Sequence, residues 1–217
     1  MLFLKKVALF ILSDFIILVI IKEEEILFYK LAQTHEITRG IYMFTTEKNK
    51  TRILVLNALF ITLTFLATMF INIRLPLMGN GGLIHLGNVP LLIAAFVFGK
   101  KSGAIVGAFG MALFDIVSGW TLWAPFTFVI VGAMGYVAGL IAEKMPGKKV
   151  IVYVLAVAVA LIIKVVGYYF TEVVLYGNWI QPFGSIPGNI MQLIIAGIIV
   201  VPLANGFKQR IGRSNSI

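Results

Sequence analysis

The sequence predicts an all-α integral membrane protein, folded as a bundle of six transmembrane helices. Of its 217 residues, 60% are apolar and 12% are charged, which leaves too few polar residues to cover a soluble globule. Apolar runs of about twenty residues recur between short polar breaks, and a helix of about that length crosses a hydrocarbon layer of roughly 30 Å. The shorter alternating segments that form a membrane β-barrel are absent from the sequence.

The six predicted helices all lie after position 52. They cover residues 53–72, 84–99, 102–119, 124–143, 149–171 and 186–206. Of the 13 Lys and Arg residues after position 42, 11 fall on one side if the segment before the first helix is cytoplasmic. Because cytoplasmic loops of membrane proteins are enriched in Lys and Arg, this pattern predicts that both termini are cytoplasmic. It also explains the net charge of +9 without a nucleic-acid partner.

Residues 1–42 fit this pattern poorly. The apolar run at 7–21 is short for a span, contains Ser13 and Asp14, and is followed by the charged stretch KEEE. The stretch MFTTEKNKTRILVLNALF, from Met43, has the composition of a basic tail entering a first helix, so we expect the six-helix substrate-binding domain to occupy 43–217. Residues 1–42 are then an extra segment, either a mis-assigned start or a weak additional helix. Mass spectrometry of the native N-terminus distinguishes the two.

Small residues recur four positions apart in the third and fourth predicted helices. Gly103 and Gly107 form one such step and Gly135 and Gly139 another, with Ala104, Ala108 and Ala112 beside the first. Such steps let two helix backbones approach closely in lipid. We therefore expect these two helices to lie in the interior of the bundle or to be tightly paired.

The polar residues of the predicted spans gather towards the outer half of the bundle. Asp115 ends the third helix, and Lys164, Tyr168 and Glu172 follow one another at four-residue spacing on one stripe of the fifth. Further polar or aromatic residues open the second, fourth and sixth helices. The predicted substrate-binding residues are His85, Asn88, Asp115, Trp123, Tyr168, Glu172, Asn189 and Gln192.

Each of these residues also has a structural interpretation. Lys164 could form an ion pair with Asp115 or Glu172, because charges within a span are costly and find partners. Trp120 and Trp123 could be anchors at the membrane interface, and Asn189 and Gln192 could be hydrogen-bonding contacts between helices.

Enzymatic motifs are missing from the sequence. The stretch FGKKS at 98–102 lacks the glycine pattern of a phosphate-binding loop, so ATP hydrolysis by this chain is not expected. There is no H-E-x-x-H or G-x-S-x-G motif and no cysteine, so we expect neither an enzyme nor a metal or other cofactor.

Several stretches together resemble the substrate-binding S components of energy-coupling factor (ECF) vitamin transporters. They include GYYFTEVVLYG at 167–177, and the most specific are HLGN at 85–88, at the start of the second helix, and IPGNIMQ at 186–192, at the start of the sixth. The resemblance covers residues 50–206. It is strongest for the branch associated with hydroxymethylpyrimidine or pyridoxine-type precursors within the riboflavin-type family. Where relatives often carry Asp in H-L-G-D, this chain has Asn88, so substrate identity does not transfer directly.

The resemblance implies a function and a set of partners. Six helices would hold one small vitamin in an outward-facing pocket, under a lid loop that includes Gly79, Gly81 and Gly82. The chain would join a transmembrane T component and two cytoplasmic ATPases in the bacterial cell membrane. The helix-one contact surface for the T component maps onto Ala58 and Thr62, with Thr in place of the family's second Ala.

Two other functions stay open at the level of the sequence. A self-sufficient secondary transporter could use Asp115, Lys164 and Glu172 as a proton or ion relay. A membrane scaffold would bind no ligand at all.

Overall fold

The computed structural model describes residues 50–74 and 83–214, and for 50–52, 74 and 207–214 it describes the backbone alone. The chain divides into two units, Met1–Leu54 and Val55–Ile217, and the site discussed below lies within the second. The predicted extra segment 1–42 lies outside the described residues.

The described residues form six α-helices, a short hairpin and one 3-10 turn. The helices are α1 (Lys50–Phe70), α2 (Asn88–Val97), α3 (Lys100–Val117), α4 (Ala124–Lys144), α5 (Lys149–Tyr176) and α6 (Ile186–Ser214). The hairpin pairs β1 (Asn72–Arg74) antiparallel with β2 (Leu83–His85), and the 3-10 turn covers Gln181–Gly184. The predicted six-helix membrane fold is confirmed.

The hairpin is the main departure from the predicted elements. Helix two was expected to start at residue 84, but residues 83–85 pair with β1 and α2 begins only at Asn88. The stretch LIHLGN is apolar enough to extend a helical pattern, so periodicity could not separate the strand from the helix. His85 therefore lies on a strand, three residues before the helix that it was expected to open.

Four helices are long and apolar enough to cross a membrane by length and composition, and these are α1, α4, α5 and α6. Helix α3 carries three charged residues, and α2 has only ten residues. Leu91, Leu92, Ala94 and Ala95 of α2 have no exposed surface, because α3, α4 and α6 pack around that helix. A helix covered by its neighbours need not match the thickness of the bilayer.

Helix α5 is longer than predicted, since it continues to Tyr176 instead of ending at residue 171. Gly177 ends it in the left-handed conformation, at φ 63°, which glycine adopts without steric cost. The 28 residues extend about 42 Å at 1.5 Å each, more than the hydrocarbon layer requires. The last turns therefore bring Glu172 and Tyr176 to the end of the bundle.

The predicted pairing of α3 with α4 is confirmed. A Cβ atom at Gly135 would overlap the carbonyl oxygen of Gly103, and one at Gly107 would lie 2.9 Å from the carbonyl oxygen of Val131. A Cβ atom at Gly139 would lie 2.5 Å from the Cα atom of Lys100. The two backbones thus approach closely over about two turns because these positions carry no side chain.

Candidate functional site

A cavity of about 110 Å³ lies where α3 ends, α4 and α6 begin and α5 passes between them. Seven of the eight predicted substrate-binding residues line it, and the eighth, Asn88, hydrogen-bonds to two lining residues, Lys164 and Gln192. The lining residues are Thr68, Leu83, His85, Met111, Phe114, Asp115, Trp120, Trp123, Thr127, Lys164, Tyr168, Glu172, Tyr176, Gln181, Ser185, Asn189 and Gln192.

The buried residue Lys164 lines the cavity and joins three helices through hydrogen bonds. The Lys164 side chain is 1% exposed, and its ammonium donates to Oε1 of Gln192 at 2.7 Å and to Oδ1 of Asn88 at 3.4 Å. Asn88 also donates from Nδ2 to the same Gln192 oxygen, at 3.0 Å. Neutral amides, one on α2 and one on α6, therefore hold the cation of α5.

Gln192 also connects this network to the hairpin, because its Nε2 donates to the carbonyl oxygen of Leu83 in β2. Both ends of the amide are therefore used, which sets its orientation: the oxygen faces Lys164 and the nitrogen faces the strand. Gln192 therefore connects helices and also lines the cavity, as each of its two interpretations requires.

The ion pair that the sequence allowed between Lys164 and Asp115 or Glu172 is not formed within 4.0 Å. Among the described residues, the ion pair closer than 4.0 Å is Lys100 with Glu143, at the other end of α3 and α4. Lys164 faces the two amides instead, and Asp115 keeps its Oδ2 atom without a hydrogen-bond partner in the described part of the chain. Sequence spacing put these charges in one region but could not set the direction of each side chain.

Asp115 and Glu172 each lie beside a hydroxyl group. The Thr127 hydroxyl accepts from Tyr168 at 3.1 Å and faces Asp115, while the Ser185 hydroxyl lies next to Glu172. Both carboxyl groups are more than nine-tenths covered. The acidic side of the cavity is therefore enclosed by α4, α5 and the start of α6.

Aromatic rings form another wall. The Trp123 ring lies 6.4 Å from that of Tyr168, at an interplanar angle of 34°, and 6.0 Å from that of Tyr176. Trp120 packs against Trp123 edge to face at 6.1 Å. These rings line the cavity as well as contacting one another, so Trp123 is part of the cavity wall.

His85 is buried at the end of β2, where its Nδ1 atom accepts the backbone N–H of Gly87 at 3.2 Å. Burial lowers the pKa of His85 well below the usual 6.5, and the positive charge of Lys164 lowers it further. The imidazole is therefore neutral at pH 7 with its proton on Nε2, so it offers the cavity a hydrogen-bond donor. Gly87 is required here because a Cβ atom would overlap the Thr68 hydroxyl.

Several lining residues were not predicted from the sequence. Thr127 lies one helical turn after Trp123, and this four-residue spacing could have revealed it. Lys164 was considered as an ion-pair partner or relay but not as a lining residue. The isolated hydroxyl of Thr68 and the amide of Gln181 carried no spacing signal, because α1 and the 3-10 turn reach the cavity only through the tertiary fold.

The remaining predicted residues lie elsewhere. Ala58 and Thr62 are exposed on α1, and the Thr62 hydroxyl donates to the carbonyl oxygen of Ala58 at 3.0 Å. The predicted lid glycines, Gly79, Gly81 and Gly82, lie outside the described residues.

A family model and individual known proteins resemble this chain. The model of the family described as ECF-type riboflavin transporter, S component, matches residues 48–209. The thiamine precursor transporter HmpT of Lactococcus lactis subsp. cremoris is 29% identical over 163 residues, which are 75% of this chain and 90% of that protein. A Pyrococcus woesei protein known as an uncharacterized protein in gap 3'region is 31% identical over 143 residues, 64% of this chain and 92% of that one.

A solved structure has the same fold. The S component of a bacterial ECF transporter superposes with a TM-score of 0.60 at 22% identity, covering 75% of this chain and 99% of that one. The family is one of membrane transporter subunits and not of enzymes. Because the family match covers residues 48–209 and so includes all or most of each described helix, this multi-pass membrane protein belongs to the ECF-type riboflavin transporter S-component family.

Proposed function

We propose that this chain captures a small heterocyclic vitamin or precursor, of the hydroxymethylpyrimidine or pyridoxine type, for an ATP-driven importer. The observation that carries the proposal is the cavity itself, where buried donors, carboxylates and aromatic rings from five helices and β2 meet. Binding sites for small molecules combine apolar walls with a few convergent polar groups in this way. His85, Asn88, Asp115, Trp123, Tyr168, Glu172, Asn189 and Gln192 are the proposed binding residues, joined by Lys164 and Thr127.

The size of the cavity supports a ligand with one ring. A cavity of about 150 Å³ holds benzene, so a volume of about 110 Å³ favours a ligand of about one ring. The three fused rings of riboflavin would need a much larger space. A single-ring ligand agrees with the resemblance to the thiamine precursor transporter HmpT.

The importer would need further subunits. We propose a transmembrane T component and two cytoplasmic ATPases as partners in the bacterial cell membrane, with both termini of this chain in the cytoplasm. The T component would contact α1 at Ala58 and Thr62. Both side chains are small, and the internal hydrogen bond of Thr62 leaves no free donor on that face, which favours close helix packing in lipid. The loop with Gly79, Gly81 and Gly82 would cover the bound ligand.

Mass spectrometry of small molecules that co-purify with the chain from native membranes tests the proposal directly. We expect one single-ring heterocycle at about one molecule per chain, and calorimetric binding of the same compound to the ligand-free protein. Asp115→Asn and Glu172→Gln should weaken this binding more than Trp120→Phe does. Equal affinities for the three variants would mean that the ligand binds elsewhere.

Reconstitution in vesicles separates the importer from a secondary transporter. We expect the isolated chain to bind its ligand and not to move it down a proton gradient, with uptake appearing only when the T component and ATPases are added. Uptake by the chain alone would instead support a relay through Asp115, Lys164 and Glu172. Absence of any bound heterocycle would support a scaffold.

A further inference from the structure

The segment that joins α5 to α6, residues 178–185, has two unlike sides, and we call it the α5–α6 turn. Its inner side contributes Gln181 and Ser185 to the wall of the cavity. Its outer side presents three large apolar side chains that are each more than half exposed, Trp179, Ile180 and Phe183. A cluster of exposed apolar groups of this size marks a surface that meets a partner or a membrane.

The backbone of the α5–α6 turn is largely hydrogen-bonded within the chain. The side-chain oxygen of Asn178 accepts the N–H groups of Ile180 and Gln181, at 2.7 and 3.3 Å. The Tyr169 hydroxyl of α5 donates to the carbonyl oxygen of Trp179 at 2.9 Å. Further N–H groups donate to carbonyl oxygens along the turn, Phe183 to Ile180, Ser185 to Pro182 and Asn189 to Ser185. Water could satisfy such groups, whereas a lipid environment requires that the chain itself satisfy them.

The outer side of the turn continues an exposed apolar stripe of α5. Val166, Phe170 and Val174 follow one another at four-residue spacing on that helix, and all three are exposed. Because α5 is long and apolar enough to cross the membrane, this stripe faces lipid. The Phe183 ring packs edge to face on Tyr169, the neighbour of Phe170, with the ring centroids 5.3 Å apart. The apolar surface of the turn is therefore continuous with the lipid-facing surface of the helix.

The length of α5 places the turn at the level of the lipid headgroups. Its 28 residues extend about 42 Å, whereas the hydrocarbon layer is roughly 30 Å thick and the bilayer with its headgroups about 40–45 Å. Trp179 follows shortly after the end of the helix, and tryptophan is enriched at this level because its ring is apolar and its N–H is polar. Residues 178–185 include no Lys, Arg, Asp or Glu, so no charge has to leave water when the turn enters the interface.

We propose that the α5–α6 turn is a membrane-interface anchor, with Trp179, Ile180 and Phe183 seated among the lipid headgroups at the cavity end of the bundle. The partner of this surface is the lipid itself. Because the same short segment carries Gln181 and Ser185 on its inner side, the anchor also holds that part of the cavity wall in place. Its effect on ligand binding rests on the proposed function, while the position of the turn in the membrane does not.

Spin labels measure the depth of the turn in phosphatidylcholine vesicles. The chain has no cysteine, so Phe183→Cys gives a single labelled site in the full chain. We expect this nitroxide to be more accessible to oxygen, and less accessible to a water-soluble nickel chelate, than one at Lys148→Cys, an exposed position just before α5. Val166→Cys is the lipid reference. Accessibility equal to that of the Lys148 site would overturn the anchor. So would a label that water reaches until a T component is added, because the partner would then be a protein.

Ligand affinity tests whether the anchor holds the cavity wall. Trp179→Ser combined with Phe183→Ser removes the two largest anchoring side chains and leaves every lining residue unchanged. We expect affinity for 4-amino-5-hydroxymethyl-2-methylpyrimidine in vesicles to fall about two- to tenfold, because the wall is then in place for only part of the time. Trp179→Tyr with Phe183→Tyr keeps aromatic rings that suit the interface and should bind normally.

The outcomes separate the anchor from the proposed function. Unchanged affinity in the double serine variant would show that the turn does not hold the wall, and Trp179→Ser alone serves if that variant does not fold. If the natural chain binds neither this pyrimidine nor pyridoxine, thiamine or riboflavin, the proposed function fails. The spin labels still decide the anchor in that case, because they need no ligand.

Discussion

Helices α3 and α4 are packed very differently at their two ends. At one end Gly103 and Gly135 bring the backbones into contact, and Lys100 pairs with Glu143 at 3.1 Å. At the other end Asp115 and Trp123 project into a cavity. Glycines let the two backbones touch at the first end, which we call the closed end. Larger side chains line the cavity at the second end, which we call the open end. Changes at the closed end should alter stability, and changes at the open end should alter ligand binding.

The largest effect is expected at the closed end. Gly135→Ala places a methyl group against the carbonyl oxygen of Gly103, and a backbone atom cannot rotate away as a side chain can. We expect the variant to lose about 3 kcal/mol of stability, measured as thermal unfolding in detergent. Gly132→Ala is the control on the same helix, because its Cβ atom would lie 3.2 Å from that of Ala108. Similar melting temperatures for the two variants would contradict this account of the helix pair.

The next largest effect is expected at the open end. Lys164→Met keeps the length of the side chain but removes the cation, while Asn88 and Gln192 still bond to each other. We expect affinity for the co-purifying heterocycle to fall about 10- to 100-fold in calorimetry, because a hydrogen bond from a charged donor is lost. Lys101→Met, at an exposed position near the closed end, should bind normally. Unchanged affinity in Lys164→Met would remove Lys164 from the binding site.

A smaller effect is expected from acidification. His85 stays neutral in the folded chain because its pKa is lowered, whereas in the unfolded chain it takes up a proton near pH 6.5. The unfolded chain therefore binds more protons below that pH, so the contribution of His85 to stability is present above pH 6.5 and declines as the pH falls. Melting temperatures at pH 8 and pH 5 test this, and His85→Gln should show a smaller difference between them. An equal difference in the two proteins would mean that another group titrates.

The smallest effect is expected for the Lys100–Glu143 pair. Glu143 accepts the backbone N–H of Lys100 at 2.8 Å and its ammonium at 3.1 Å, but both side chains are partly exposed. Glu143→Gln keeps an acceptor for the N–H and removes the charge, so we expect a loss of at most about 1 kcal/mol. Affinity for the ligand should not change, and a measurable change would connect the two ends of the helix pair.

Much of the candidate site could be predicted because helical spacing places side chains on common faces. The stripe of Lys164, Tyr168 and Glu172 on α5 and the polar start of α6 both followed from spacing alone. Of the two interpretations of Lys164, the ion pair is not formed, because the amides of Asn88 and Gln192 reach the ammonium from α2 and α6. The binding role of these residues stays a prediction.

The sequence by itself determined that this chain is a helical membrane protein, that six helices follow position 50 and that α3 and α4 pair through glycines. Those conclusions depend on composition and on contacts within or between adjacent helices. Only the tertiary structure decided that residues 83–85 form a strand, that α2 is covered by its neighbours and that Asp115 keeps an unpaired oxygen. The strand depends on its pairing with β1, and the other two depend on elements distant in the chain; local periodicity encodes neither the pairing nor those orientations.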